Sequence, residues 1–192
     1  MCIGINAESS LEEIAEEIRR CRFCILHKNR KNAVPGEGSY KARLILIGEA
    51  PGSDEDAQGR PFVGRAGRIL DDILKFAKLE RSFLFITSVV KCRPPYNRTP
   101  KIKEKKACLP YLNRQIELIN PKIICLLGKV ALNTLLEKQV FAKARGKLME
   151  EDGQLYFSIY HPAAVLYNVN LKSVIRSDIK KIKELLENCE NK

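Results

Sequence analysis

The sequence predicts an α/β fold, a parallel sheet covered by helices on both faces. Three observations carry that prediction. Short apolar runs alternate with amphipathic segments of helical length, the pattern of strands joined by crossover helices. Several runs end in loops of special chemistry, at Gly48-Glu49, Ser88 to Cys92 and His161. Open α/β sheets place their ligands at such carboxyl ends. No repeat or linker interrupts the 192 residues, 45% of them hydrophobic, so residues 1–192 are expected to form one domain.

The elements follow in order. Ser10-Leu11-Glu12-Glu13 has capping-box spacing and is expected to open a helix to about Arg20, with Leu11, Ile14, Ala15 and Ile18 on one face. A turn-rich segment holds Pro35, Gly36 and Gly38. Residues 43–47 form an apolar strand feeding Gly48-Glu49-Ala50-Pro51-Gly52. A polar loop is expected to reach Gly67, and a helix to run on to about Lys78. Residues 83–90 read as a second strand, and Lys91 to Pro100 as a basic, proline-rich loop. A helix to about Ile119 precedes Pro121 and a third strand, residues 122–127. Gly128 starts a further helix to about Glu137. Residues 146–159 read as a hairpin turning at Asp152-Gly153. A basic helix closes the chain.

The formal net charge is +11 and the sequence pI about 9.4. A chain this basic suits a polyanionic partner, because lysine and arginine displace counterions from phosphates. No apolar stretch is long enough to span a bilayer. The opening residues, MCIGINAESS, lack the basic start and apolar run of a signal peptide. The protein is therefore expected inside the cell, where seven cysteines serve better as ligands and core residues than as disulfides.

Cys21 and Cys24 form a C-x2-C pair, while Cys92 and Cys108 stand far along the chain. Four thiolates bind one tetrahedral zinc or one four-iron cluster. Structural zinc usually gathers two close pairs, so the irregular set favours iron–sulfur. Cys21 and Cys24 sit among Arg19, Arg20, Arg22 and Lys28, a poor setting for core cysteines. Cys125, inside an apolar strand, reads as a core residue, and Cys2 and Cys189 as spectators near the termini.

Between Lys91 and Lys106 there are seven basic residues and one acidic residue, Glu104. Pro94, Pro95 and Pro100 stiffen this stretch, and a rigid cationic loop loses little freedom on meeting phosphates. Lys91, Arg93 and Arg98 are its expected DNA contacts. The cations of the last helix read as a solvated face.

Four blocks stand in order: Gly48-Glu49-Ala50-Pro51-Gly52, Gly59-Arg60-Pro61-Phe62-Val63-Gly64, Val89-Val90-Lys91-Cys92-Arg93-Pro94-Pro95 and His161-Pro162-Ala163-Ala164. With the upstream segment Asn32 to Gly38 and the four cysteines, the set resembles the family 4 uracil-DNA glycosylases over nearly the whole chain. That resemblance implies a three-layer α/β/α sandwich around a mainly parallel four-stranded sheet. It implies a [4Fe–4S] cluster on Cys21, Cys24, Cys92 and Cys108. It also implies hydrolysis of the uracil–deoxyribose bond in DNA, leaving an abasic site for base excision repair. A monomer is expected, acting near the nucleoid in the cytoplasm of a prokaryote.

Such an enzyme extrudes its base and holds it in a pocket. The resemblance makes Phe62 the aromatic that stacks on uracil. His161 is placed to donate to uracil O2, where negative charge develops. Glu49 and Glu55 are the candidates to direct a water or to stabilise the cationic sugar, with Asn97 helping to hold water. Gly48 and Ala50 offer backbone to the base. Asp54 and Asp56 read as solvated loop charges, and Ala163 to Tyr167 as a wedge for the gap left by the base.

One residue departs from the family. Ser88 stands where an asparagine usually reads the uracil edge, and serine offers one short hydroxyl instead of an amide. Three outcomes follow in order: a uracil enzyme with looser reading, a glycosylase for another damaged base, and a weakly active DNA-binding iron–sulfur paralogue. A zinc protein of the same fold is a further alternative.

Overall fold

The structure, a computed structural model, describes residues 7–188. Cys2 and Cys189 lie outside the described residues. The sheet has six strands: β1 (Glu37–Gly38), β2 (Leu44–Gly48), β3 (Phe85–Ser88), β4 (Ile123–Leu127), β5 (Leu148–Glu151) and β6 (Gln154–Ile159). Their order is β1-β3-β2-β4-β6-β5. β3, β2, β4 and β6 run parallel, while β1 and β5 pair antiparallel at the two edges. The sheet is therefore mixed and six-stranded, not four-stranded. The two residues of β1 are too few to show periodicity. β5 is expected as one arm of the hairpin, whose turn puts Asp152 at φ 52 and Gly153 at φ 78, the left-handed pair a tight hairpin favours.

The helices are α1 (Ala7–Arg20), α2 (Ser53–Gln58), α3 (Arg65–Phe76), α4 (Ile102–Ile119), α5 (Lys129–Leu135), α6 (Phe141–Ala144) and α7 (Leu171–Asn188). α1 begins a turn before Ser10, so Ser10 is a helical residue and not the cap. α2 falls where a loop is expected; its six residues, five of them polar, carry no apolar stripe.

β2 and β4 are buried throughout, and their side chains alternate between two cores. Leu44, Leu46, Ile123, Cys125 and Leu127 face α3 and α7 through Leu70, Ile73, Leu74, Ile175, Ile179 and Ile182. Ile45, Ile47, Ile124 and Leu126 face α4 and α5 through Leu112, Ile119, Ala131 and Leu132. Burying both faces explains why these strands read as unbroken apolar runs. α1 rests on α4, where Ile14, Ile18, Ala33 and Tyr111 form a third cluster. The carboxyl ends of β2, β3 and β6 consequently emerge on one side of the sheet, carrying the loops that start at Glu49, Val89 and Tyr160.

Candidate active site and cysteine pocket

Those three loops enclose a cleft of about 390 Å³ lined by Glu49, Ala50, Glu55, Phe62, Ser88, Asn97, Arg98 and His161, among others. Gly48 does not line the cleft itself but lies against two residues that do, Phe62 and Ser88. A Cβ on Gly48 would stand 2.8 Å from Phe62 Cζ and 3.2 Å from Ser88 Oγ, so only glycine lets the ring lie there. Phe62 has φ 53, a left-handed backbone. Its carbonyl accepts from Arg81 Nη1 at 3.2 Å, and Arg81 also donates to the Pro61 carbonyl. A Cβ on Gly67 would overlap the Phe62 carbonyl oxygen at 1.8 Å. α3 thus packs directly on the backbone that aims Phe62.

The Phe62 ring lies 5.6 Å from the His161 ring, tilted by 31°. The Ala163 amide donates to His161 Nδ1 at 3.1 Å. With Nδ1 accepting, the neutral ring carries its proton on Nε2. Enclosure at the cleft floor pushes the imidazole down to about 4, against an opposing pull from Glu55, so at neutral pH it is an uncharged donor.

The two glutamates differ. Glu55 Oε1 accepts from the amides of Val63 (2.9 Å) and Gly64 (2.8 Å), and Oε2 from the amide of Gly52 (3.0 Å). Its carboxylate pins both ends of the loop, and no cation pairs with it among the described residues. Glu49 is half-buried, and burial raises its carboxyl above the ordinary value against the Thr99 hydroxyl and the Lys105 charge. It is the better placed of the two to take a proton. Asp56 is no solvated charge: it is buried, and its Oδ1 accepts from the Lys31 amide at 2.9 Å. Asn32 Nδ2 donates to the Asp56 carbonyl at 2.8 Å, tying α2 to the segment before β1.

The basic loop divides. Lys91 does not face DNA. It is 1% exposed, and its ammonium donates to Thr87 Oγ1, the Ser88 carbonyl (2.9 Å) and Gln115 Oε1 (2.8 Å). Burial pushes its pKa down to about 8. β3 ends at Ser88, so the next residues turn inward instead of extending the strand, carrying Lys91 into the core. Arg98 lines the cleft, yet its guanidinium is held by both oxygens of Glu104 at 2.8 and 2.6 Å. Arg93 Nε donates to Asn97 Oδ1 at 2.8 Å, which fixes Asn97 at the cleft. Arg65, at the start of α3, is an exposed cation on the cleft wall. Sequence reasoning missed it, although it directly follows the Gly59–Gly64 block.

Cys21, Cys24, Cys92 and Cys108 line one small apolar pocket with Ile18, Phe23, Ala107 and Tyr111. All four are free thiols. Arg30 Nη1 lies 3.0 Å from Cys92 Sγ, and the Lys91 amide donates to Cys108 Sγ at 3.3 Å. Burial raises the thiols of Cys24 and Cys92, and pushes Cys108 up to about 11. Among the described residues no three His, Cys, Asp or Glu side chains form a ready metal-ion site. The donor set still fits a thiolate-bound group: four sulfurs converge on one dry pocket, N–H donors address two of them, and a bound cationic centre would offset the cost of ionising them.

The Uracil DNA glycosylase superfamily model matches residues 35–185. A type-4 uracil-DNA glycosylase of Sulfurisphaera tokodaii is 49% identical over 186 residues, covering 92% of this chain and 84% of that protein. The chain belongs to the type-4 uracil-DNA glycosylases. Similar type-4 enzymes are 45% identical in Archaeoglobus fulgidus, covering 92% of this chain and 93% of that protein, and 40% identical in Thermotoga maritima, covering 94% and 96%. In this type-4 chain all four sequence blocks contribute to one cleft, and the third, through Lys91 and Cys92, also lines the cysteine pocket. Arg81, which holds the Phe62 loop, lies outside every block and left no signal in the sequence. No helix among the described residues is long and apolar enough to cross a membrane.

Proposed function

We propose that the chain hydrolyses the N-glycosidic bond of uracil in DNA, leaving an abasic site, as the first step of base excision repair. The single observation that carries this reading is His161: a neutral imidazole with Nδ1 engaged, on the floor of a cleft, beside an aromatic ring. Such a group aims its Nε2–H at an anionic leaving base as a hydrogen-bond donor while itself staying uncharged.

The extruded uracil lies on Phe62, with its edge toward Ser88 and the backbone of Gly48 and Ala50. As the bond from the sugar carbon to uracil N1 breaks, its electron pair passes to the base, and His161 Nε2–H steadies the charge on O2. Glu49 takes a proton from the attacking water, which Asn97 helps to position. Glu55 supplies fixed negative charge for the cationic sugar. Arg93 and Arg65 meet the phosphates.

Cys21, Cys24, Cys92 and Cys108 would hold a [4Fe–4S] cluster, whose role there is to pin the segment after α1 to α4 and the loop after β3. The organisms of the relatives support a prokaryotic setting, and we take the enzyme to work at the chromosome as a monomer built of one domain.

Ser88 favours a second reading, a glycosylase for another deaminated base, since one short hydroxyl stands where an amide would present separate acceptor and donor atoms to N3–H and O4. The test is a single-turnover assay on oligonucleotides with one uracil, single-stranded or opposite guanine, followed by alkaline cleavage. Strand breaks lost in His161→Ala support the uracil reading. No breaks from a brown, folded protein would defeat it and direct the assay to hypoxanthine and xanthine. Under the uracil reading Ser88→Asn raises the rate; an equal or lower rate would remove Ser88 from the base edge.

A further inference from the structure

Tyr96 is 99% exposed, the most exposed large apolar side chain among the described residues. It sits at the tip of the loop after β3, between Pro94 and Asn97, which both line the cleft. Its backbone is left-handed, with φ 55 and ψ 23, and Asn97 follows at φ 55. Non-glycine residues rarely adopt this conformation, least of all in succession. The tip nevertheless has one fixed shape. The Asn97 amide donates to the Pro94 carbonyl at 3.1 Å, Arg93 holds the Asn97 side chain, and Glu104 holds Arg98. A rigid loop here spends backbone strain and exposed apolar area on displaying one aromatic ring.

Across the cleft stands a second exposed aromatic. Tyr167 is 92% exposed and lines the cleft at the end of the segment after β6. β3 and β6 are separated by β2 and β4 in the sheet. With strands roughly 4.8 Å apart, the two loops rise about 14 Å from one another, a span of about four stacked nucleotides at 3.4 Å each. Arg93 and Arg65 put positive charge near the same rim. Aromatic faces set beside cations are the construction of a single-strand platform, because every base offers a π-face whatever its sequence.

We propose that Tyr96 stacks on a DNA base flanking the extruded nucleotide, opposite Tyr167, so that the bases on the two sides of the lesion are held by separate aromatic lips. This rests on the DNA-glycosylase reading above. It predicts contact with neighbouring bases irrespective of which base is excised.

The test uses the full-length protein and an oligonucleotide with a stable abasic analogue at the lesion and 2-aminopurine at successive neighbouring positions. Binding is measured by fluorescence, so no excision is required. Wild type is expected to quench 2-aminopurine on both sides of the lesion. Tyr96→Ala should lose quenching on one side only and weaken binding about tenfold, while Tyr96→Phe keeps both. Tyr96→Gly, which suits the left-handed backbone, should raise the melting temperature while weakening binding, a pairing of signs that a structural role would not produce. Unchanged binding and quenching in Tyr96→Ala and Tyr96→Gly would overturn the proposal. Failure of wild type to excise uracil, with the quenching pattern intact, would instead overturn only the uracil reading.

Discussion

The loop after β2 and the loop after β3 are built alike and end differently. Each leads into a helix, and in each a glutamate in the first turn reaches back to cap it: Glu55 to the Gly52 amide, Glu104 to the Lys101 amide at 2.7 Å. Glu104 then meets Arg98 in a two-pronged ion pair, and that guanidinium holds its carboxyl below the ordinary value. Glu55 meets two further amides instead, at Val63 and Gly64. One region neutralises its charge and gains a rigid wall. The other keeps its charge beside His161, where a cationic sugar would need it. Identical capping chemistry serves structure in one place and, in the proposed mechanism, electrostatics in the other, and the partner of the second oxygen distinguishes them.

The largest way to break this comparison is at the charge itself. Glu55→Gln should slow excision about 100-fold or more, since a preorganised charge acts strongly in a dry site. Glu104→Gln should instead lower stability by about 1–3 kcal/mol and leave the excision rate of the folded protein near wild type. Denaturant melts beside single-turnover rates check both; equal rate losses in the two variants would erase the distinction. Acid sharpens it. The Glu104 carboxyl is held low, so its contribution is full above the ordinary value of 4.5 and is lost as pH falls through the lowered one. That loss should vanish from the melts of Glu104→Gln.

The next effect belongs to Glu49. Burial raises its carboxyl, and the base must be ionised to act, so excision should fall on acidification above the usual carboxylate range. Glu49→Gln should cut the rate about 100-fold and abolish that acid limb in a pH–rate profile. His161 has a stability signature of its own. Its folded pKa, about 4, lies below the ordinary 6.5, so the unfolded chain binds its proton first. Stability from this group is full above about pH 6.5 and is lost as pH falls toward 4, a slope that should be absent in His161→Ala.

The smallest effects on excision separate Lys91 from Arg93. Lys91→Met should lower stability by about 3 kcal/mol, because Thr87, Ser88 and Gln115 lose a shared buried donor, and should leave the salt dependence of DNA binding unchanged. Arg93→Ala should reduce that salt slope by about one while scarcely moving stability. Titrations at several salt concentrations would show the exchange of roles if it were otherwise.

These cases also mark where the sequence was legible. Strands buried on both faces write themselves as apolar runs, and Leu44 to Gly48 and Ile123 to Leu127 could be read directly. The family resemblance grouped Glu49, Phe62, Ser88 and His161 in one site, and all four line one cleft. β1 and α2 escaped because a two-residue strand and a six-residue polar helix have no period. Lys91 escaped for another reason: composition counts its charge, while its direction depends on β3 ending at Ser88. Arg81 is the extreme case, since apart from Asp71 its partners are two carbonyls about twenty residues away and carbonyls carry no residue identity.

The most direct measurement is to identify the base released from uracil-containing DNA by wild type and by His161→Ala, with chromatography and mass detection under single-turnover conditions. The account predicts free uracil from wild type, and a rate lower by about 100- to 1,000-fold in the variant. Release of no base by wild type, or equal release by both proteins, would contradict it.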